Sequence, residues 1–124
     1  MKKFVTYIQN KKFGNYYLPA RFQYVILRDY YKNIKKDFIL PQGEPVFSKT
    51  AIRLRTVIAN LKINDGLILL SIFMLPENDS IRRDVLKELL KKKIETHFIF
   101  ENIIAKKLND YKKINNIYKL NKFK

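Results

Sequence analysis

The sequence predicts an α/β fold, a three-layer sandwich built on a mostly parallel, four-stranded sheet. Three observations carry this prediction. The longest apolar run, Leu67 to Leu75, is interrupted only by Ser71, opens on Asp65-Gly66 and closes at Pro76. A strand that shows no polar alternation is covered on both faces, as in a parallel sheet flanked by helices. Helical apolar spacing recurs on both sides of that run, most clearly at Leu54, Val57, Ile58 and Leu61 and at Ile81, Val85, Leu86, Leu89 and Leu90. The elements alternate strand, helix, strand, helix, which calls for crossover connections and a parallel sheet.

The first strand is expected over residues 3–9, where Phe4, Val5, Tyr7 and Ile8 are aromatic or β-branched. Asn10 to Leu18 reads as a loop around Gly14. Pro19 suits the first turn of a helix, where its missing N–H costs nothing. That helix runs to about Lys35 with a predicted stripe of Phe22, Val25, Ile26, Asp29 and Tyr30. Residues 37–41 form a short second strand ended by Pro41, and residues 42–47 a loop. Ser48 or Thr50 caps the next helix. The central strand covers residues 67–73. Asn78, Asp79 and Ser80 offer caps for the third helix, which ends at Lys91-Lys92-Lys93, cations that suit the negative end of its dipole. Residues 94–100 form strand four, and Ile103, Ile104, Leu108, Tyr111 and Ile114 indicate a last helix. Residues 1–105 are thus expected to be a single domain and residues 106–124 a Lys-rich C-terminal helix or tail. That tail holds seven lysines against one aspartate, a composition expected to be exposed and to fray.

At 124 residues, 47% hydrophobic and 30% charged, the chain can bury one core. The apolar run at 67–75 is too short to span a bilayer. The first residues enter a strand pattern directly, without the apolar core of a signal peptide, so a cytoplasmic location is expected. The absence of cysteine excludes a disulfide framework, a thiol nucleophile and a thiolate metal site. His97 is the only histidine, so a His-rich zinc site is excluded too, and no metal or cofactor is expected. Neither a Walker A motif nor GxGxxG is present. The net charge of +15 raises the question of a nucleic-acid partner. The cations are mostly lysine, whereas planar phosphate recognition favours arginine, so nucleic acid is the weaker reading.

Two resemblances cover most of the chain. The order of elements, and the segment Leu54 to Asp65-Gly66 leading into an apolar strand, resemble the catalytic domain of serine recombinases, which implies a resolvase-like or flavodoxin-like sheet. That family's nucleophilic serine belongs in the loop after strand one, and Gln9-Asn10-Lys11-Lys12-Phe13-Gly14 has none. What this resemblance leaves is a nucleic-acid-binding, resolvase-like domain without recombinase catalysis. The second resemblance, over residues 6 to 104, is to the sporadic carbohydrate cluster family of bacterial surface-sugar gene clusters. It rests on Phe13-Gly14 with Tyr16 and Pro19, on Gln23 with Leu27-Arg28-Asp29-Tyr30, on Leu40-Pro41 with Glu44 and Phe47, on Ser71 with Phe73-Met74-Leu75-Pro76-Glu77, and on His97-Phe98 with Glu101-Asn102. It implies a role in lipopolysaccharide or other surface-polysaccharide synthesis and assigns no reaction.

In α/β sheets, ligands bind beyond the carboxyl ends of the strands. That rule gathers a candidate site from the loops after each strand. Glu44, His97 and Glu101 are the candidates for charge or proton work. Tyr16, Arg28, Gln42, Ser71, Glu77 and Asn102 are the candidates for ligand binding, with Arg28 suited to an anionic group. Each also has a structural reading. His97 fits a hydrogen-bonded core position, Arg28-Asp29 a surface pair, and Glu44 and Glu101 helix caps. His97 and Glu101 stand four apart, about 13 Å along one strand. The expected ligand is a sugar or nucleotide sugar, with a partner enzyme of polysaccharide synthesis as the non-catalytic alternative. Two sheet edges to protect, and apolar surface in excess of one core, point to a homodimer.

Overall fold

The computed structural model describes residues 3–9, 17–36, 42–44 and 52–122, with only the backbone of 42–44, 52, 53, 121 and 122. The order of elements is β1 (Phe4–Gln9), α1 (Ala20–Asn33), β2 (Gln42–Glu44), α2 (Ile52–Ala59), β3 (Gly66–Leu69), a 3₁₀ turn (Ile72–Met74), α3 (Asp79–Lys91), β4 (Glu95–Phe98), β5 (Ile103–Ala105) and α4 (Leu108–Lys122). The sheet runs β2-β1-β3-β4-β5. β2, β1, β3 and β4 pair in parallel, and β5 pairs antiparallel to β4 through Phe98↔Ile103, His97↔Ile104 and Thr96↔Ala105. The fold is therefore the mostly parallel α/β sandwich that the sequence predicts.

β3 holds the centre. Leu67, Ile68, Leu69 and Leu70 are completely buried, because helices cover both faces of the strand. His97 lies against Tyr30 of α1 on one face, and Thr96, one residue away, lies against Tyr111 of α4 on the other. α2 touches α3 and α3 touches α4, so these three helices form one layer and α1 the opposite one. The buried stripe Leu54, Val57, Ile58 and Leu61 is the one expected.

Four elements differ from expectation. β3 stops at Leu69 rather than Phe73, because Ser71 Oγ accepts the Phe73 amide at 3.1 Å and starts the 3₁₀ turn. Parallel pairing persists past the strand through Ile99 N to Leu69 O and Phe100 N to Leu70 O. On α1 the buried stripe is Gln23, Leu27 and Tyr31, whereas Phe22 and Val25 are exposed. Ile26 and Tyr30 of the expected stripe are partly buried against the core, but a buried polar residue, Gln23, leads the fully buried face, so apolar spacing alone places the stripe off centre. Residues 103–105 form the edge strand β5 instead of beginning a helix, and Asn102, with φ of 55°, makes the turn that returns the chain. α4 docks by Tyr111, Ile114 and Tyr118, with Leu108 left outside. Residues 42–44, expected in a loop, pair with β1. The expected strand at 37–41 and the caps Ser48 and Thr50 lie outside the described residues.

Candidate functional site

The parallel strands end on one edge of the sheet, at Glu44, Gln9, Leu69 and Phe98. At the end of β1, Gln23 stands in for a neighbouring strand. Its Oε1 accepts Gln9 N at 3.3 Å, and its Nε2 donates to Gln9 O at 2.6 Å and to Leu18 O at 2.7 Å. Backbone groups of a buried strand end need such partners, which is why a glutamine on α1 is fully buried. The Gln9 side chain crosses from β1 to the loop after β3, where Nε2 donates to Met74 O at 2.8 Å and to Tyr7 Oη at 3.0 Å. The end of β1 and the turn after β3 thus share one floor of amides.

Beside it lies the Ser71–Glu101 pair. Glu101 follows β4 in the turn to β5, and Ser71 follows β3. Glu101 Oε2 accepts from Ser71 Oγ at 2.8 Å, and Oε1 accepts from Ile72 N at 2.9 Å. Each carboxylate oxygen has two lone-pair sites, so one hydrogen bond apiece leaves acceptor capacity. Ser71 is fully buried, and Glu101 is half-buried at the rim. The pair fixes the start of the 3₁₀ turn and presents a carboxylate beside it.

His97 belongs to a different place. Its side chain faces α1, where Nδ1 hydrogen-bonds Tyr30 Oη at 2.5 Å and the ring meets Phe4 and Tyr30 edge-on. Nε2 lies 3.2 Å from Glu95 Oε2 without hydrogen-bond geometry. Burial, and then the Glu95 charge, push the Tyr30 phenol above its usual 10.0, so Tyr30 is held as a hydroxyl against His97. His97 and Glu101 have no hydrogen-bond partner in common.

The other candidates are dispersed. Arg28 is exposed near the middle of α1, about 12 Å along the axis from the rim end at Ala20. The Glu77 side chain is exposed, and its carbonyl accepts from Arg82 Nη1 at 3.2 Å. The exposed Asn102 serves the β4–β5 turn, its amide donating to Ile99 O at 3.1 Å. Gln42 and Glu44 stand opposite Tyr7 and Gln9 in register, placing their backbone on the β1 side of the rim. Tyr16 lies outside the described residues. Among the described residues, no group of three or more His, Asp or Glu is placed to hold a metal ion. A groove of about 420 Å³ lies between α2 and α3, lined by Arg55, Thr56, Ile58, Ala59, Asp84, Val85 and Glu88, none of them a rim residue.

Sequence reasoning missed Arg82, which is completely buried. Its Nε donates to Asn115 Oδ1 at 2.8 Å, Nη1 to Pro76 O at 3.1 Å, and Nη2 to Asp79 Oδ1 at 2.5 Å. Its guanidinium carbon sits 4.2 Å from the Tyr118 ring centroid. Arg82 therefore clamps the loop after β3 to α4. Lys92, which stands at the end of its own helix and pairs with Glu88 at 3.3 Å, also donates from Nζ to Ile58 O at 2.8 Å, Ala59 O at 3.1 Å and Leu61 O at 3.0 Å, capping α2. The one signal in the sequence for Gln23 was its place among the residues that carry the carbohydrate-cluster resemblance. Arg82 and Lys92 had none, since their partners are distant in the chain. No protein-family model and no curated protein matches this chain.

Proposed function

We propose that this protein, whose sequence resembles the sporadic carbohydrate cluster family, serves bacterial surface-polysaccharide synthesis in the cytoplasm. In this reading it is a homodimer that binds a sugar or nucleotide-sugar intermediate at the carboxyl edge of the sheet. It acts there as a small enzyme or as the non-catalytic partner of one. The observation that supports a ligand site is the strand order β2-β1-β3-β4-β5. The chain leaves β1 for the α1 face and leaves β3 for the opposite face. Where two neighbouring connections diverge in this way, an open crevice forms above the strand ends. Of the described side chains at these strand ends, Gln9 and Ser71 are buried and Glu101 is half-buried.

Glu101 is held by the Ser71 hydroxyl and the Ile72 amide and keeps acceptor capacity, which suits a sugar hydroxyl. In the enzymatic version Glu44 and Glu101 act from the β2 and β4 sides of the crevice. His97, bonded to Tyr30 behind the sheet, stabilises the α1 layer. Titration calorimetry with a panel of nucleoside-diphosphate sugars tests the reading. Wild-type protein is expected to bind at least one member, and Glu101→Gln to weaken that binding about tenfold, the loss of one charge-assisted hydrogen bond. Absence of binding across the panel, or unchanged binding by E101Q, overturns the site. Normal surface polysaccharide in a strain lacking the protein overturns the pathway.

A further inference from the structure

We propose that the outer face of α4 is a docking surface for an anionic lipid membrane. Tyr111, Ile114 and Tyr118 are turned into the protein, and Arg82 stacks on Tyr118 while bonding Asn115. The opposite face of the helix is therefore fixed outward. It carries Leu108, Asn109, Lys112, Lys113, Asn116, Lys119 and Leu120, all exposed, over about 18 Å. Exposed Lys106 and Lys107 precede it.

Two features select the occupant. The first is unbalanced charge. The one acidic residue of α4, Asp110, accepts Lys107 N at 3.1 Å and Lys106 N at 3.2 Å, and these bonds hold its carboxyl below the usual 3.8. It caps the first turn and leaves the lysine face without a counter-charge on its own helix. The second is apolar. Leu108 and Leu120, 50% and 70% exposed, stand at the two ends of the lysine stripe. Leucine gains nothing from a phosphodiester backbone, and the face offers neither arginine nor an exposed aromatic ring for base stacking. A flat bilayer surface uses both features, since lysines near anionic headgroups each contribute about 1 kcal/mol and leucines enter the acyl boundary. Among the described residues no helix is long and apolar enough to cross a membrane, and the contact proposed for α4 is with the bilayer surface. The inference is independent of what the rim binds.

Vesicle flotation tests it with the full chain, using phosphatidylcholine vesicles with and without phosphatidylglycerol and a DNA duplex as competitor. Binding is expected only with phosphatidylglycerol, and to fall as salt rises. K112Q/K119Q changes exposed side chains only and is expected to weaken binding roughly thirtyfold. L108S/L120S is expected to weaken vesicle binding and leave duplex binding unchanged. Equal flotation with neutral vesicles, no flotation, indifference to either double variant, or tighter binding to the duplex than to anionic vesicles at the same salt overturns the proposal. Circular dichroism checks that both variants are folded.

Discussion

The two edges of the sheet are secured in different ways. At the carboxyl edge, long polar side chains reach across the fold. Gln23 serves β1, Gln9 reaches the loop after β3, Glu101 holds the 3₁₀ turn, and Arg82 ties the following loop to α4. At the amino edge the ties are shorter and lean on backbone and packing. Asp65 Oδ2 accepts Lys62 N at 2.8 Å and its Oδ1 accepts Lys3 N at 3.2 Å, while Gly66 N donates to Lys3 O at 2.7 Å. The Phe4 ring lies directly over Gly66, where an added Cβ would fall 2.2 Å from it. At this point of the amino edge, packing of Phe4 on Gly66 adds to the backbone ties. The carboxyl edge is instead a frame of side-chain hydrogen bonds, in which Glu101 keeps acceptor capacity.

Arg82→Met is the sharpest break. It keeps the length and apolar stem and strands Asn115 Oδ1 and the carbonyls of Pro76 and Glu77. A loss of about 4 kcal/mol is expected, read as a lowered urea midpoint. A loss below about 1 kcal/mol would show that packing, not this clamp, holds the carboxyl edge.

The amino edge has its own polar exception in Tyr111, and it sharpens the contrast through pH. Its hydroxyl donates to Ile94 O at 2.7 Å and lies 3.0 Å from Thr96 Oγ1. Burial pushes the phenol up from 10.0 to about 12. A folded value above the unfolded one gives stability that is complete below pH 10 and disappears as pH rises to about 12. The expected loss is on the order of 2–3 kcal/mol, measured by urea titrations across that window. Tyr111→Phe should start less stable and show a flatter alkaline decline.

Gly66→Ala probes packing at the amino edge and is expected to have the smallest effect. The new methyl group must displace a Phe4 ring that is itself packed edge-on to His97. About 1–2 kcal/mol should be lost, and Phe4→Leu should recover part of it. If G66A is neutral, that edge is less tightly packed than its distances indicate.

Much of the fold was legible in the sequence, because unbroken hydrophobicity and the 3.6-residue period are local properties. The apolar run at 67–75 announced a doubly covered central strand, though one expected over 67–73 and observed over Gly66–Leu69, and Leu54, Val57, Ile58 and Leu61 announced the buried face of α2. Cysteine and histidine content alone excluded thiolate and His-rich metal sites. Tertiary structure decided everything that depends on a distant partner. Gln23 is buried because Gln9, fourteen residues away, ends a strand with unpaired backbone groups. That requirement shifted the buried face of α1 towards Gln23, Leu27 and Tyr31, leaving Ile26 and Tyr30 at its margin. Ile103 to Ala105 became a strand because β4 offered an open edge. Glu101 and Ser71, thirty residues apart, form one unit, while His97 and Glu101, four apart, belong to separate ones. Periodicity records which side of an element is apolar. It does not record which polar groups a neighbouring element leaves unsatisfied, and those groups determined the carboxyl edge.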